Sequence, residues 1–148
     1  MIARPIPIRR RGRRIRAVQG RRGSSSRLTF SLSIVSERPL VALAGFERRW
    51  PRRRDEGDEA ARLGGNHLYG IGRFSVEETD WATRADLVDA GISGVLERLD
   101  ATGIGLGELN RADVYVRAYF TLPPGAETIR ADTLERLSAI NATLWLDA

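Results

Sequence analysis

The sequence contains no cysteine. Disulfides, thiol catalysis and every cysteine-ligated metal site are therefore excluded, while the redox compartment stays open. Lysine is also absent, all 24 basic residues being arginine. That removes Schiff-base chemistry and a phosphate-loop lysine. His67 is the single histidine. A Ser-His-Asp triad would have to use it, and no G-x-S-x-G elbow accompanies it. Zinc needs several His or Cys ligands, which one histidine does not supply. No apolar run approaches the roughly 18 residues of a membrane span. The N-terminal segment also lacks the apolar centre of a secretory signal. A cytoplasmic protein with no membrane partner is expected.

What is present is one domain's worth of chain, 148 residues with 42% hydrophobic content, enough to build a core. The charge is unevenly placed. Residues 1–27 carry ten arginines and no acid, and the rest of the chain carries 14 arginines and 19 acids. The high isoelectric point thus describes the tail, and the remainder is mildly acidic. Residues 1–26 mix Arg, Pro, Gly and Ser with scattered isoleucines, and no period of 2 or 3.6 holds. Such a segment buries too little apolar surface to offset its ordering entropy, so the sequence predicts a disordered arginine-rich tail over 1–26. Its composition also suits a mitochondrial transit peptide, a meaningless extension from an upstream start codon, or a nucleic-acid-binding arm.

The domain is expected over 27–148. In "RLTFSLSIVS", Leu28, Phe30, Leu32 and Ile34 alternate with Thr29, Ser31 and Ser33, the period of a half-buried strand. Pro39 and Gly45 bracket a short helix around 39–44, and 47–66 reads as a long loop. "NHLYGIGRFSVEE" reads as a second strand. Strict alternation puts Leu68, Phe74 and Val76 on one face, with Gly70 and Gly72, and Tyr69, Ile71 and Arg73 on the other. The clearest helix is 83–101, with Thr83 and Asp86 resembling a capping box and Val88, Ile92, Val95, Leu96 and Leu99 forming a stripe. Gly91 and Gly94 fit if that helix lies close on the sheet over Gly70 and Gly72. "DVYVRAYFTL" is the strongest strand, its Tyr115, Arg117 and Tyr119 opposite Val116, Ala118 and Phe120. Asp132 can cap a last helix with Leu134 and Leu137 inward. A final strand places Ala142, Leu144 and Leu146 in and Thr143 and Trp145 out. The fold class is α/β (α+β): a single four-stranded sheet with about three helices, in the order β-α-β-α-β-α-β, helices mainly on one face.

Three motifs invite chemistry. "GIGLG" at 103–107 mimics a dinucleotide fingerprint but follows a helix and does not lead into one, so it reads as a flexible turn and no cofactor is expected. Asp55, Glu56, Asp58 and Glu59 could ligate a hard cation, but their spacing matches no EF-hand loop and three arginines adjoin them; no metal is expected. In that "WPRRRDEGDEA" stretch, Trp50 reads as an anchor packed on the domain, with Arg52 and Arg53 available to a protein partner. The third motif is the face predicted to carry Tyr69, Ile71, Arg73, Tyr115, Arg117, Tyr119 and Trp145. Aromatics interleaved with arginine typify interface hot spots. They also stack bases, but no RNP-like sequence is present.

Several of these stretches together resemble a bacterial family of small proteins known as domain of unknown function 4279. The stretches are "FSLSIVS", the Arg-Trp-Pro-Arg loop, the long middle helix, "VYVRAYF" and the terminal "LSAINATLWLD". The resemblance covers roughly 28–148. It implies a short single-domain α/β protein, some members being linked to toxin–immunity loci, and it carries over no catalytic residues. Gly57 and Asp58 match the Gly-Asp pair that follows the basic loop in such proteins, although the charge run from Arg54 to Glu59 is richer here. The resulting expectation is a non-enzymatic, immunity-like module that binds another protein or itself. Tyr69, Arg73, Tyr115, Arg117, Tyr119, Trp145, Trp50, Arg52 and Arg53 are its candidate contact residues. The alternative is nucleic-acid binding through the basic tail.

Overall fold

The computed structural model of the chain describes residues 27–48, 66–125 and 127–148. The predicted tail and the 49–65 stretch, with Trp50, Arg52 and Arg53, lie outside them.

The architecture is a mixed α/β layer, a five-stranded sheet with its helices packed on one face. Strand β1 (Leu28–Ser36) sits at the centre. It is antiparallel to β3 (His67–Val76) on one side and to β4 (Val114–Thr121) on the other. Strand β5 (Ala142–Asp147) runs parallel to β4 at one edge. A two-residue strand β2 (Glu47–Arg48) pairs with Leu68 and Tyr69 at the other. The spatial order is β2-β3-β1-β4-β5. The expected four strands are all present, and β2 is an addition taken from the start of the predicted loop. Two residues with no alternation of their own become a strand only because β3 offers them an edge.

The helices also depart from expectation in detail. The short helix predicted around 39–44 is a 3₁₀ helix over Val41–Phe46. Helix α1 spans Trp81–Asp100. Its cap is Asp80, whose side chain accepts from the Thr83 backbone N–H at 3.0 Å, and not the Thr83–Asp86 box. Either spacing satisfies a free first-turn N–H, and the chain uses the carboxylate, the stronger acceptor. A four-residue helix α2 (Leu106–Leu109) occupies part of the expected flexible turn. Helix α3 (Ala131–Ala139) starts one residue before Asp132; its cap position is Arg130, with no side-chain cap. Asn141, in the left-handed region at φ 63°, turns the chain from α3 into β5.

The core lies between the sheet and α1. Leu28, Phe30, Leu32 and Ile34 from β1 meet Val88, Ile92, Val95 and Leu99 from α1, as both periodicities require. Phe30 packs between Phe74, tilted against it, and Phe120, met edge to face, with ring centroids 5.4 and 4.9 Å away. Gly91 lets the helix approach: a Cβ there would come within 2.6 Å of the Phe74 ring. The expected pairing of helix glycines over Gly70 and Gly72 is only half realised. Gly72 lies under Val95, but Gly70 faces the opposite side, and nothing lies within 4 Å of a Cβ at Gly94.

The cause is a β-bulge. Leu32 pairs with Gly72 and Ser33 with Gly70, so Ile71 is an extra residue on β3. Beyond it the alternation inverts. Tyr69 and Ile71 enter the core, and Leu68 turns outward. Leu43 of the 3₁₀ helix and Leu40, the residue before it, close that end of the core, and the Leu40 N–H donates to the Tyr69 hydroxyl at 2.8 Å.

Helix α3 is joined to α1 mainly by polar contacts. Asp89 accepts from Thr133 and from Arg136, Arg136 also reaches Ser93 at 2.6 Å, and Arg130 pairs with Asp86. Beside them Arg84 and Glu127 form a largely buried pair at 2.7 Å. Leu137 is buried, but Leu134, expected inward, is 37% exposed.

Candidate functional site

The sheet face away from the helices gathers most of the predicted contact residues, through register alone. Ser31 lies between Arg73 and Tyr119, and Tyr119 pairs with Trp145. The next row runs Gly70, Ser33, Arg117 and Thr143, and the one after it Leu68, Val35 and Tyr115. Residues two apart on one strand share a face, so these rows stack into one surface.

Tyr115, Arg117, Tyr119 and Trp145 form a cluster there. The Arg117 guanidinium lies 4.9 Å from the Trp145 ring centroid and 5.3 Å from that of Tyr119. The two rings are 6.3 Å apart, tilted by 59°. Trp145 Nε1 donates to the Tyr115 hydroxyl at 2.5 Å, and the Tyr119 hydroxyl donates to Asp147 at 2.9 Å. Cation–π contacts of this kind contribute about 0.5–2 kcal/mol, more when desolvated. Arg117 is only 7% exposed, so its charge is held between rings and is not offered to solvent. Val35 and Leu68, with Tyr115 against them, make a small second core on this face.

Arg73 stands one strand away from the cluster, exposed, with Ser31 between. Tyr69 does not belong to the face. It is 1% exposed in the main core, because the bulge at Ile71 reverses its direction. Strict period-2 reading had no means of placing that inversion. Arg48 was missed altogether; its side chain crosses Gly70, where a Cβ would lie 2.6 Å from the guanidinium nitrogen. A glycine in mid-strand was the available signal, since it marks a close approach without saying from which side.

The other unforeseen feature is the edge. Leu144 and Leu146, expected in the core, are 39% and 60% exposed. They do face the helix side, but β5 is the last strand of the sheet, and α3 lies against it without covering them. Among the described residues β5 pairs with no strand other than β4.

Other charged groups serve structure. Asp113 accepts from the Arg111 side chain at 2.8 and 2.9 Å and from the Arg38 backbone N–H at 2.9 Å. These bonds hold its carboxyl well below the usual carboxylate range. His67 contacts Glu47 at 2.7 Å where β2 meets β3. Among the described residues, no three His, Asp or Glu side chains converge on a point that could hold a metal ion. No helix of the described residues is long and apolar enough to cross a membrane.

No protein-family model matches the chain, and neither the curated proteins nor the solved structures contain a match to it.

Proposed function

We propose that the chain is a non-enzymatic protein-binding module that associates through the β4–β5 end of its sheet. The observation that carries this reading is the exposure of Leu144 and Leu146 on an edge strand. Unpaired strand edges with apolar side chains are templates for another chain, and proteins that do not use them blunt them with charge, proline or a covering loop. Here the only charged residue in β5 is Asp147, at its end. Trp145, Tyr119 and Tyr115 lie on the opposite side of the same edge, so an added strand would meet leucines on one face and aromatics on the other. Pairing of this kind serves a second copy of the chain as well as a protein partner, and an immunity-like role is one such use.

Sedimentation velocity of the wild type and of the Leu144→Asp, Leu146→Asp double variant tests this. A concentration-dependent dimer is expected for the wild type, and for the variant a monomer whose unfolding midpoint matches that of the wild type at dilutions where it is monomeric. A wild type that remains monomeric at 100-fold varied concentration and binds no candidate partner encoded beside it would exclude the reading. Nucleic-acid binding remains the second reading, on the ten arginines of residues 1–27. It would give an affinity that falls steeply with salt.

A further inference from the structure

The outer face carries a second feature beside the aromatic cluster. At the end where β1 begins, a depression of about 310 Å³ opens between β3, β1 and β4. Its floor and rim include the hydroxyls of Thr29, Ser31, Ser75 and Thr121 and the cations Arg27 and Arg73. Register explains the concentration. Thr29 pairs with both Ser75 and Thr121, and Ser31 with both Arg73 and Tyr119, so two neighbouring rows put hydroxyls side by side. Adjacent strands lie about 4.8 Å apart, so the three hydroxyls of the first row span about 10 Å.

None of the four hydroxyls makes a side-chain hydrogen bond among the described residues, and neither does Arg73. Arg27 is already paired with Glu77, at 2.5 Å. On the far side of Thr121, outside the lining of the depression, Asp147 accepts from the Tyr119 hydroxyl. Among the described residues the hollow therefore holds one guanidinium without an ion-pair partner, beside hydroxyls that make no side-chain hydrogen bond.

We propose that this depression binds the phosphate group of a small phosphate monoester. A guanidinium presents up to five N–H donors in a planar fork, and each hydroxyl adds a freely rotating O–H. The three terminal oxygens of a phosphate monoester can accept from the guanidinium and from the hydroxyls nearest it, whereas the two oxygens of a carboxylate offer fewer acceptor sites. Arg73 meets the anion bidentately, as guanidinium does with phosphate. Ser31, Ser75 and Thr29 contact the remaining oxygens. The volume, at the low end of small-molecule sites, suits a compact ligand whose organic part lies along the wall formed by Tyr119. The site uses neither Leu144 nor Leu146 and is independent of the association proposed above.

Titration of the full chain with inorganic phosphate, followed by ¹⁵N–¹H correlation spectra, reads the site residue by residue. Saturable shifts are expected at the backbone amides of Ser31, Arg73 and Ser75. In Arg73→Gln the affinity at these amides is expected to weaken at least about tenfold, with the unfolding midpoint unchanged because Arg73 is exposed. Acetate should bind more weakly than phosphate. Ser75→Ala provides a second variant, with a several-fold loss expected. Shifts confined to the arginines of residues 1–27, or an affinity at Ser31 and Ser75 that Arg73→Gln and Ser75→Ala leave unchanged, would overturn the proposal.

Discussion

Tyr69 and Phe74 are five residues apart on one strand, yet both side chains enter the same core. An odd separation should place them on opposite faces, and the extra residue Ile71 reconciles the two. Tyr69 thereby becomes the residue that closes one end of the core, with its hydroxyl satisfying the Leu40 N–H. Tyr69→Phe would leave that buried donor unpaired and should cost about 1–3 kcal/mol. Tyr69→Ala should cost about 3–5 kcal/mol, as large-to-small aromatic truncations do. Denaturant unfolding measures both; a Tyr69→Ala midpoint equal to wild type would put the ring back on the surface.

Two glycines in one helix should respond in opposite directions. At Gly91 an added methyl meets the Phe74 ring, so Gly91→Ala overpacks the helix–sheet contact and should destabilise by about 1–3 kcal/mol. At Gly94 the space is open, and Gly94→Ala should stabilise by about 0.5–1 kcal/mol through helix propensity alone. Thermal unfolding of the two variants checks the signs. Equal shifts would mean that α1 does not lie against β3 as described.

Acid should loosen the fold in a defined window. The carboxyls of Asp80, Asp89 and Asp113 are all held below their ordinary value. Asp80 is lowered by the Thr83 backbone N–H, Asp89 first by the Thr133 hydroxyl, and Asp113 first by the Arg111 side chain. A depressed folded-state pKa contributes stability that is fully present above the unfolded value, about 3.9, and is lost as pH falls through the folded value. Stability should therefore be level with respect to these groups down to about pH 4 and decline below it. Asp113→Asn should be less stable than wild type at pH 7, with the difference narrowing below about pH 4, where the unfolded chain's carboxyl takes up a proton while the folded one stays ionised. Unfolding curves across that range provide the test, and a gap that stays constant would remove Asp113 from the account.

Much of the architecture could be read from local pattern. The alternation in β1 and β4 and the 3.6-residue stripe of α1 each place apolar groups on one side of an element, and these three elements have neighbours that cover that side. The grouping of Tyr115, Arg117, Tyr119 and Trp145 was legible for the same reason, since period 2 acts within each strand and the parallel pairing of β4 with β5 merely adds them. What the pattern could not supply was anything decided by a partner element. Asp80 and Thr83 are both competent caps, and only the path of the chain leaving β3 selects between them. Glu47 and Arg48 become a strand because β3 has a free edge. Leu144 and Leu146 have the alternation of buried residues but remain exposed, because β5 ends the sheet and none of the described elements covers them.

The sequence by itself determined the main strands and helices, the apolar face of β1, β4 and α1, and the chemistry that cysteine, lysine and histidine content excludes, because these depend on residue type and spacing alone. The tertiary structure alone decided the side on which Tyr69 lies, the hydroxyl-lined hollow beside Arg73 and the open edge at Leu146. Each of these depends on register between strands distant in the chain, and one inserted residue in a pairing changes the face of every side chain beyond it.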